Sequence, residues 1–397
     1  SVVEAELDGL SQDGYIEGGQ VWADVNDDGV YDPLTEAGGI TDAFGNFDLS
    51  GDTSGTLHLV GGVDVGTGLA FEGEMLAPEG WTVVTPVSTL VVQVMEHLSI
   101  AAGTAESMVK TAFGLDPTVD LSDYDPIAEL ANPSASPAQV LAASNVFAVA
   151  STVLNATTIA AKLIEGSGAA AAPSFIESEH AVYQALAEEV AVAVPPLDLG
   201  DSAFLAGLID RAAEILGFDP TELAAIESDE AGTIISDSNT KIIEATPADE
   251  TEAAAVEGLA FLEETTQVST AAQGEIADAA TDGNLADDVA SYTGEALDTV
   301  VATTDIGDVA PSTQVGTAGA DVLTGNVDLD DMLRGAEGDD VLQGLSGDDV
   351  LDGGEGFDTA DYSAGYAAAE GIRVWMPTDG PGELGDPSLS VDPGSIL

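Results

Sequence analysis

Apolar and polar positions along this chain follow three rhythms. From residue 1 to about 82, single apolar residues alternate with polar ones between Gly- and Asp-rich turns, as in Gly19-Gln20-Val21-Trp22-Ala23-Asp24 and Gly45-Asn46-Phe47-Asp48-Leu49. Period-two alternation predicts short strands. From about residue 84 to 300 the text turns Ala-rich, and Val140, Leu141, Ser144, Phe147, Ala148, Thr152, Leu154 and Ile159 recur at helical spacing. Similar runs predict helices over roughly 86–98, 104–113, 174–193, 201–216, 220–229, 249–280 and 284–298. Pro86, Pro126, Pro137, Pro173 and Pro220 stand near predicted starts, and Gly114, Gly166 and Gly217 near ends. Residues 301–315 read as a Gly/Pro/Ser/Thr linker. The third rhythm, from Gly316, has a period of nine.

Five units open at Gly316, Gly325, Gly335, Gly344 and Gly353. An acid recurs at Asp321, Asp331, Asp340, Asp349 and Asp358, at intervals of 10, 9, 9 and 9. Two places later stand Leu323, Leu333, Leu342, Leu351 and Ala360. Such a period predicts a parallel β-roll. The Gly-rich half of each unit must turn tightly, leaving carbonyls outward, and the short apolar half is a strand facing inward. One unit buries almost nothing alone, so units must stack.

Charge then changes the picture. The 397 residues hold 73 Asp and Glu against 6 Lys and Arg, a net charge of −67. Phosphate-rich partners are repelled by such a field, which argues against nucleic acid and anionic membranes and in favour of multivalent cations. With no Cys, disulfides and thiol catalysis are excluded. The most apolar long stretch, Asn145–Ile164, carries Asn145, Ser151, Asn155, Thr157, Thr158 and Lys162, which predicts a buried helix and no membrane span. The start at Ser1, without Met or an apolar leader, reads as a processed segment, and the Gly/Pro/Asp run before Leu397 as a chain that continues.

Within Gly316–Asp361 there are 13 acids and one base, Arg334. Stacking brings the turn aspartates together, and like charges so placed need a counter-ion. Ca²⁺ supplies it through carboxylate and carbonyl oxygens. The five units resemble the repeats-in-toxin (RTX, hemolysin-type) calcium-binding repeats of secreted bacterial proteins, over about 46 residues. The resemblance implies Ca²⁺ on Asp321, Asp331, Asp340, Asp349 and Asp358 and at the turn glycines Gly335, Gly338, Gly344, Gly347, Gly353 and Gly356. Two departures stand out: the second unit has an extra residue with Asp328 in a glycine place, and the fifth has Ala360 at the apolar place. The text after it, to Arg373-Val374, resembles the strand-rich tail that follows such repeats.

A second acidic loop lies near the start. Asp24, Asn26, Asp28 and Asp32 occupy positions 1, 3, 5 and 9, with Gly29 at 6 and the Val30 carbonyl at 7. This is the first part of an EF-hand-type loop, but position 12 is Thr35, the acid Glu36 comes one place later, and the flanks read as strands. The stretch from Gly14 to Phe47 resembles the carboxypeptidase-regulatory-like and B-type β-sandwich modules of bacterial surface proteins, which carry a calcium loop between strands. That resemblance implies calcium on Asp24, Asn26, Asp28, Val30, Asp32 and Glu36. The expected architecture is multidomain α+β: a small β-sandwich over 1–82, an Ala-rich helical bundle over 83–300, the linker 301–315, and a β-roll with its tail over 316–397.

Catalytic signatures are missing. His97 follows Glu96 but no H-E-x-x-H is completed, no G-x-S-x-G occurs, and His58, His97 and His180 lie far apart in sequence. Trp22, Trp81 and Trp375 are too scattered for a sugar platform. The helical middle reads as a spacer or assembly unit. The expectation is a non-enzymatic, extracellular, calcium-binding structural protein, acting in adhesion or in self-assembly into a surface layer or filament. Two alternatives stand beside it: the non-catalytic, calcium-stabilised part of a larger secreted RTX enzyme, and a halophile protein whose acidity serves hydration. The second leaves the nine-residue phase and the Asp24 loop unexplained.

Overall fold

The computed structural model describes residues 5–12, 14–132, 134–167, 173–192, 196–223, 225–281, 285–307, 309, 312–315, 317, 319–325, 331–335, 338–345, 349–353, 356–361 and 373–374. The chain forms two compact units, Ser1–Val309 and Ala310–Leu397. It is mixed α+β, with helices and several small sheets.

In the first unit the alternating text gives β1 (Ala5–Ser11), β2 (Ile16–Glu17), β3 (Gln20–Asp24), β4 (Gly38–Ile40), β5 (Asn46–Gly51), β6 (Thr56–Val60), β7 (Val63–Asp64), β8 (Glu74–Ala77) and β9 (Val83–Val84). They build sheets in the orders β5-β1-β9, β2-β7 and β4-β3-β6-β8. In the last of these, Trp22 of β3 pairs with His58 of β6, and His58 with Leu76 of β8.

The helices are α1 (Pro86–Leu98), α2 (Ala102–Phe113), α3 (Pro126–Ala131), α4 (Pro137–Gly166), α5 (Phe175–Val192), α6 (Ser202–Ile215), α7 (Pro220–Leu223), α8 (Ser228–Ala245), α9 (Glu250–Ala253), α10 (Gly258–Ala271), α11 (Ala277–Ala280) and α12 (Gly294–Thr303). A π-helical turn, Ala272–Ile276, joins α10 to α11. Proline opens α1, α3, α4 and α7, where its missing N–H costs no hydrogen bond. Thr85 with Ser88, and Ser136 with Gln139, form capping boxes at α1 and α4. Gly114 ends α2 in the left-handed conformation.

Several expectations are corrected. The run 220–229 yields only the four-residue α7, and α8 begins at Ser228. The run 249–280 breaks at Ala254–Glu257 and through the π turn. The last helix is displaced from 284–298 to Gly294–Thr303, because Gly294 opens it. The expected linker is shortened at both ends, since 301–303 close α12 and Ser312–Val315 form a strand.

One apolar core runs through this unit, joining Ile16, Leu49, Leu59 and Met75 from strands to Leu90, Leu163, Leu186 and Ile235 from helices. The change of composition near residue 83 thus marks a switch from strand to helix within a shared core. Helix α4 is long and apolar enough to cross a membrane, and 83% of its most apolar window is buried inside this unit.

In the second unit, β10 (Ser312–Val315), β12 (Asp331–Arg334), β14 (Val350–Asp352) and β16 (Arg373–Val374) form one parallel sheet. A second parallel sheet holds β11 (Val322–Thr324), β13 (Val341–Gln343) and β15 (Thr359–Ala360). Successive strands alternate between the sheets, so partners lie two repeats apart, as with Leu323↔Leu342 and Leu333↔Leu351. Leu333, Leu342 and Leu351 are buried together, with Leu323 and Ala360 packed on them. Of the expected tail, only Arg373–Val374 falls among the described residues.

Candidate calcium sites

Each repeat places an aspartate two residues before its inward apolar residue, at the mouth of the turn. Asp331, Asp340 and Asp349 are buried. Their carboxylates brace the stack: Asp340 Oδ1 accepts the Asp321 N–H at 2.7 Å, Asp349 Oδ1 that of Asp331 at 3.1 Å, and Asp358 Oδ1 that of Asp340 at 3.0 Å. Each bond spans two repeats, as the strand pairing does. Asp321 is used differently, since its Oδ2 accepts from Thr317 N and Oγ1 at 2.6 and 2.9 Å.

The other carboxylate oxygens lie against the turn glycines. A Cβ added at Gly335 would sit 2.3 Å from Asp340 Oδ2 and 2.5 Å from the Gly353 carbonyl. At Gly344 it would sit 2.0 Å from Asp349 Oδ2, and at Gly353 2.3 Å from Asp358 Oδ2. Gly338 and Gly356 have φ of +128° and +148°, and a Cβ on Gly356 would meet the Gly338 carbonyl at 1.6 Å. Glycine is required at these turns by backbone conformation and by the close approach of rungs two repeats apart. Gly347 lies outside the described residues.

One oxygen stands out. Asp340 Oδ2 is buried and has no hydrogen-bond partner. A buried carboxylate oxygen without a donor is costly unless a cation meets it. The residues present fit Ca²⁺, a hard cation that takes carboxylate and backbone carbonyl oxygens together.

In the N-terminal loop, Asp24 ends β3 and its carboxylate turns back over the chain. Gly29 N–H donates to Asp24 Oδ2 at 2.7 Å and Asp28 N–H to Asp24 Oδ1 at 3.3 Å. Asn26 Oδ1 accepts from Asp28 N–H at 3.0 Å, and Asp28 Oδ1 from Val30 N–H at 2.9 Å. Asp27 and Gly29 adopt left-handed φ of 58° and 69°, which curls the loop back onto the Asp24 carboxylate. Burial alone raises the Asp24 carboxyl; the N–H groups of Gly29 and Asp28 and the nearby His58 outweigh it and hold the carboxyl below its ordinary value.

Glu36, one place late in sequence, is brought back by a turn in which Asp32 N–H donates to its Oε2 at 2.8 Å. Its Oε1 is buried without a partner. Like Asp340 Oδ2, this is a buried carboxylate oxygen of the kind that a cation satisfies. Among the described residues, no three His, Asp or Glu side chains already converge as a preformed metal cage. The loop oxygens are instead held by backbone N–H groups.

Sequence reasoning missed a contact here. His58 Nε2 lies 3.6 Å from Asp24 Oδ2, and His58 Nδ1 2.7 Å from Glu74 Oε1. The hint was the alternation that puts Trp22 and Asp24 on one face of β3.

Residues 326–360 match the RTX calcium-binding nonapeptide repeat family, in four copies. Comparisons with curated proteins and with solved structures give no match. The chain therefore carries calcium-binding repeats of a kind typical of secreted proteins.

Proposed function

We propose that this chain is a secreted, calcium-stabilised structural protein of the bacterial cell surface, acting in adhesion or self-assembly and turning over no substrate. The observation that carries the calcium reading is the buried, unpartnered Oδ2 of Asp340. What supports a β-roll is the alternation of short parallel strands between two sheets around the Leu333, Leu342 and Leu351 core. Asp331, Asp340, Asp349 and Asp358, with carbonyls of turn glycines such as Gly335, Gly344 and Gly353, would hold the repeat's ions. Asp24, Asn26, Asp28, Asp32, Glu36 and the Val30 carbonyl would hold one more, in a sandwich-type module over 1–82. Bound Ca²⁺ supplies positive charge and a coordination shell of six to eight oxygens.

Assembly follows from charge. At −67, copies of the chain repel one another, and divalent ions lower that repulsion while ordering a sheet whose edge strands can pair. Light scattering of the full chain across a calcium titration tests this: the mass should rise with Ca²⁺ and not with NaCl of matched ionic strength. A monomer at millimolar Ca²⁺ that adheres to no cell surface would overturn the assembly reading. A hydrolase activity retained by this chain would overturn the non-enzymatic one.

A further inference from the structure

The chain has three histidines, and two of them meet on one carboxylate. Strand alternation explains how. Trp22 and Asp24 share a face of β3, His58 pairs with Trp22 across the ladder, and Glu74 stands two residues before Leu76, the partner of His58 on β8. The His58 ring stacks on Trp22 with centroids 5.0 Å apart and planes 20° apart. That fixes the ring, so its two nitrogens point in set directions: Nδ1 to Glu74 Oε1 at 2.7 Å, and Nε2 to Asp24 Oδ2 at 3.6 Å.

Glu74 continues the chain of contacts into the helices. Its Oε2 lies 2.9 Å from His180 Nε2 on α5, a close ion-pair contact rather than an aligned hydrogen bond. Its backbone N–H donates to the buried Glu179 Oε2 at 3.0 Å. Burial raises the Glu74 carboxyl, but His180 and His58 outweigh it and pull it down to about 2, so it stays a carboxylate between them. The side chains of His58, Glu74 and Asp24 are 11%, 10% and 2% exposed, which keeps solvent from loosening the series.

We propose that Glu74 is a positioning residue for the Asp24 loop, aiming the Asp24 carboxylate at Ca²⁺ through His58 and tying calcium occupancy to the seat of helix α5 through His180. The inference rests on the calcium reading of that loop. Groups behind a ligating carboxylate fix its orientation, and their loss weakens metal affinity by about 10- to 100-fold. The coupling is reciprocal: if calcium steadies α5, a loosened α5 weakens calcium by the same factor.

The test uses the full chain with Tb³⁺ in place of Ca²⁺, because Trp22, two residues from Asp24, can sensitise terbium luminescence. The component lost in Asp28→Ala reports the loop and separates it from the repeats. If Asp28→Ala loses nothing, the calcium reading of the loop fails and the positioning role with it. If the loop component exists, Glu74→Gln should weaken its affinity about tenfold or more, and His58→Gln likewise. The double variant should then be no weaker than His58→Gln alone, since both changes break one path. Unchanged affinity in Glu74→Gln, or losses that simply add, would overturn the positioning role while leaving the loop site intact. Should Glu74→Gln fail to fold, His58→Gln decides by the same affinity. With Ca²⁺ bound, His180→Gln should also raise deuterium uptake across Phe175–Val192, and unchanged uptake would overturn the link to α5.

Discussion

Asp340 shows at the scale of one residue why the repeat needs a cation. One oxygen braces the rung two repeats earlier, and the other is buried with nothing to accept from. Asp340→Asn keeps the shape and the bracing acceptor but removes the charge. With Ca²⁺ the variant should be less stable, with its calcium midpoint raised about tenfold, the effect of losing about 1.4 kcal/mol of ion binding. In chelator, where the repeat is unfolded in both proteins, variant and parent should not differ. Thermal melts in both conditions check this, and a calcium midpoint equal to the parent's would leave Asp340 as a bracing group only. The five aspartates were legible from spacing alone, but their separate duties were not. That Asp321 is already capped by Thr317 depends on a turn whose geometry no periodicity encodes.

Among elements, the turns and α5 carry the sharpest expectations. Gly344→Ala would drive a Cβ to 2.0 Å from Asp349 Oδ2. It should raise the calcium concentration needed for repeat folding, measured by circular dichroism, whereas Gly103→Ala, on an open helix face with nothing within 4 Å, should not. On α5, burial pushes the Glu179 carboxyl up to about 7, with the Glu74 N–H and His180 only partly offsetting it. Its folded value is above its unfolded value, so its contribution to stability is fully present below about pH 4.5 and is lost as pH rises through 7. His180 contributes with the same sign: burial lowers its imidazole, but Glu74 outweighs that and holds it above its ordinary value. Urea unfolding between pH 5 and 7.5 should show stability falling as pH rises, and Glu179→Gln should make that slope shallower. An identical slope in the variant would contradict the assignment. Helices with apolar stripes, such as α1, α4 and α6, the first two opened by proline, were readable from the sequence. Helix α8 was not, because its Asp, Ser, Thr and Asn text resembles a loop until neighbours bury Ile234, Ile235 and Ile242. Strand β10 was hidden for a related reason: Ser312–Val315 has none of the repeat's glycines or aspartates, and only pairing with β12 makes it a strand.

For the whole molecule, charge and repeat make one argument. A chain at −67 with 13 acids in Gly316–Asp361 cannot stack those acids closely without counter-ions, so metal binding and folding of the repeat are one process. The rest of the chain differs, since its extended apolar core gives it a means of folding that needs no ion. The most direct measurement is hydrogen exchange on the full chain in Ca²⁺, in chelator, and in chelator with NaCl of matched ionic strength. Amides of the strands between Ser312 and Ala360 should be protected only in Ca²⁺, while those of α4 and α6 stay protected in all three. Equal protection of the repeat strands in chelator would contradict the account.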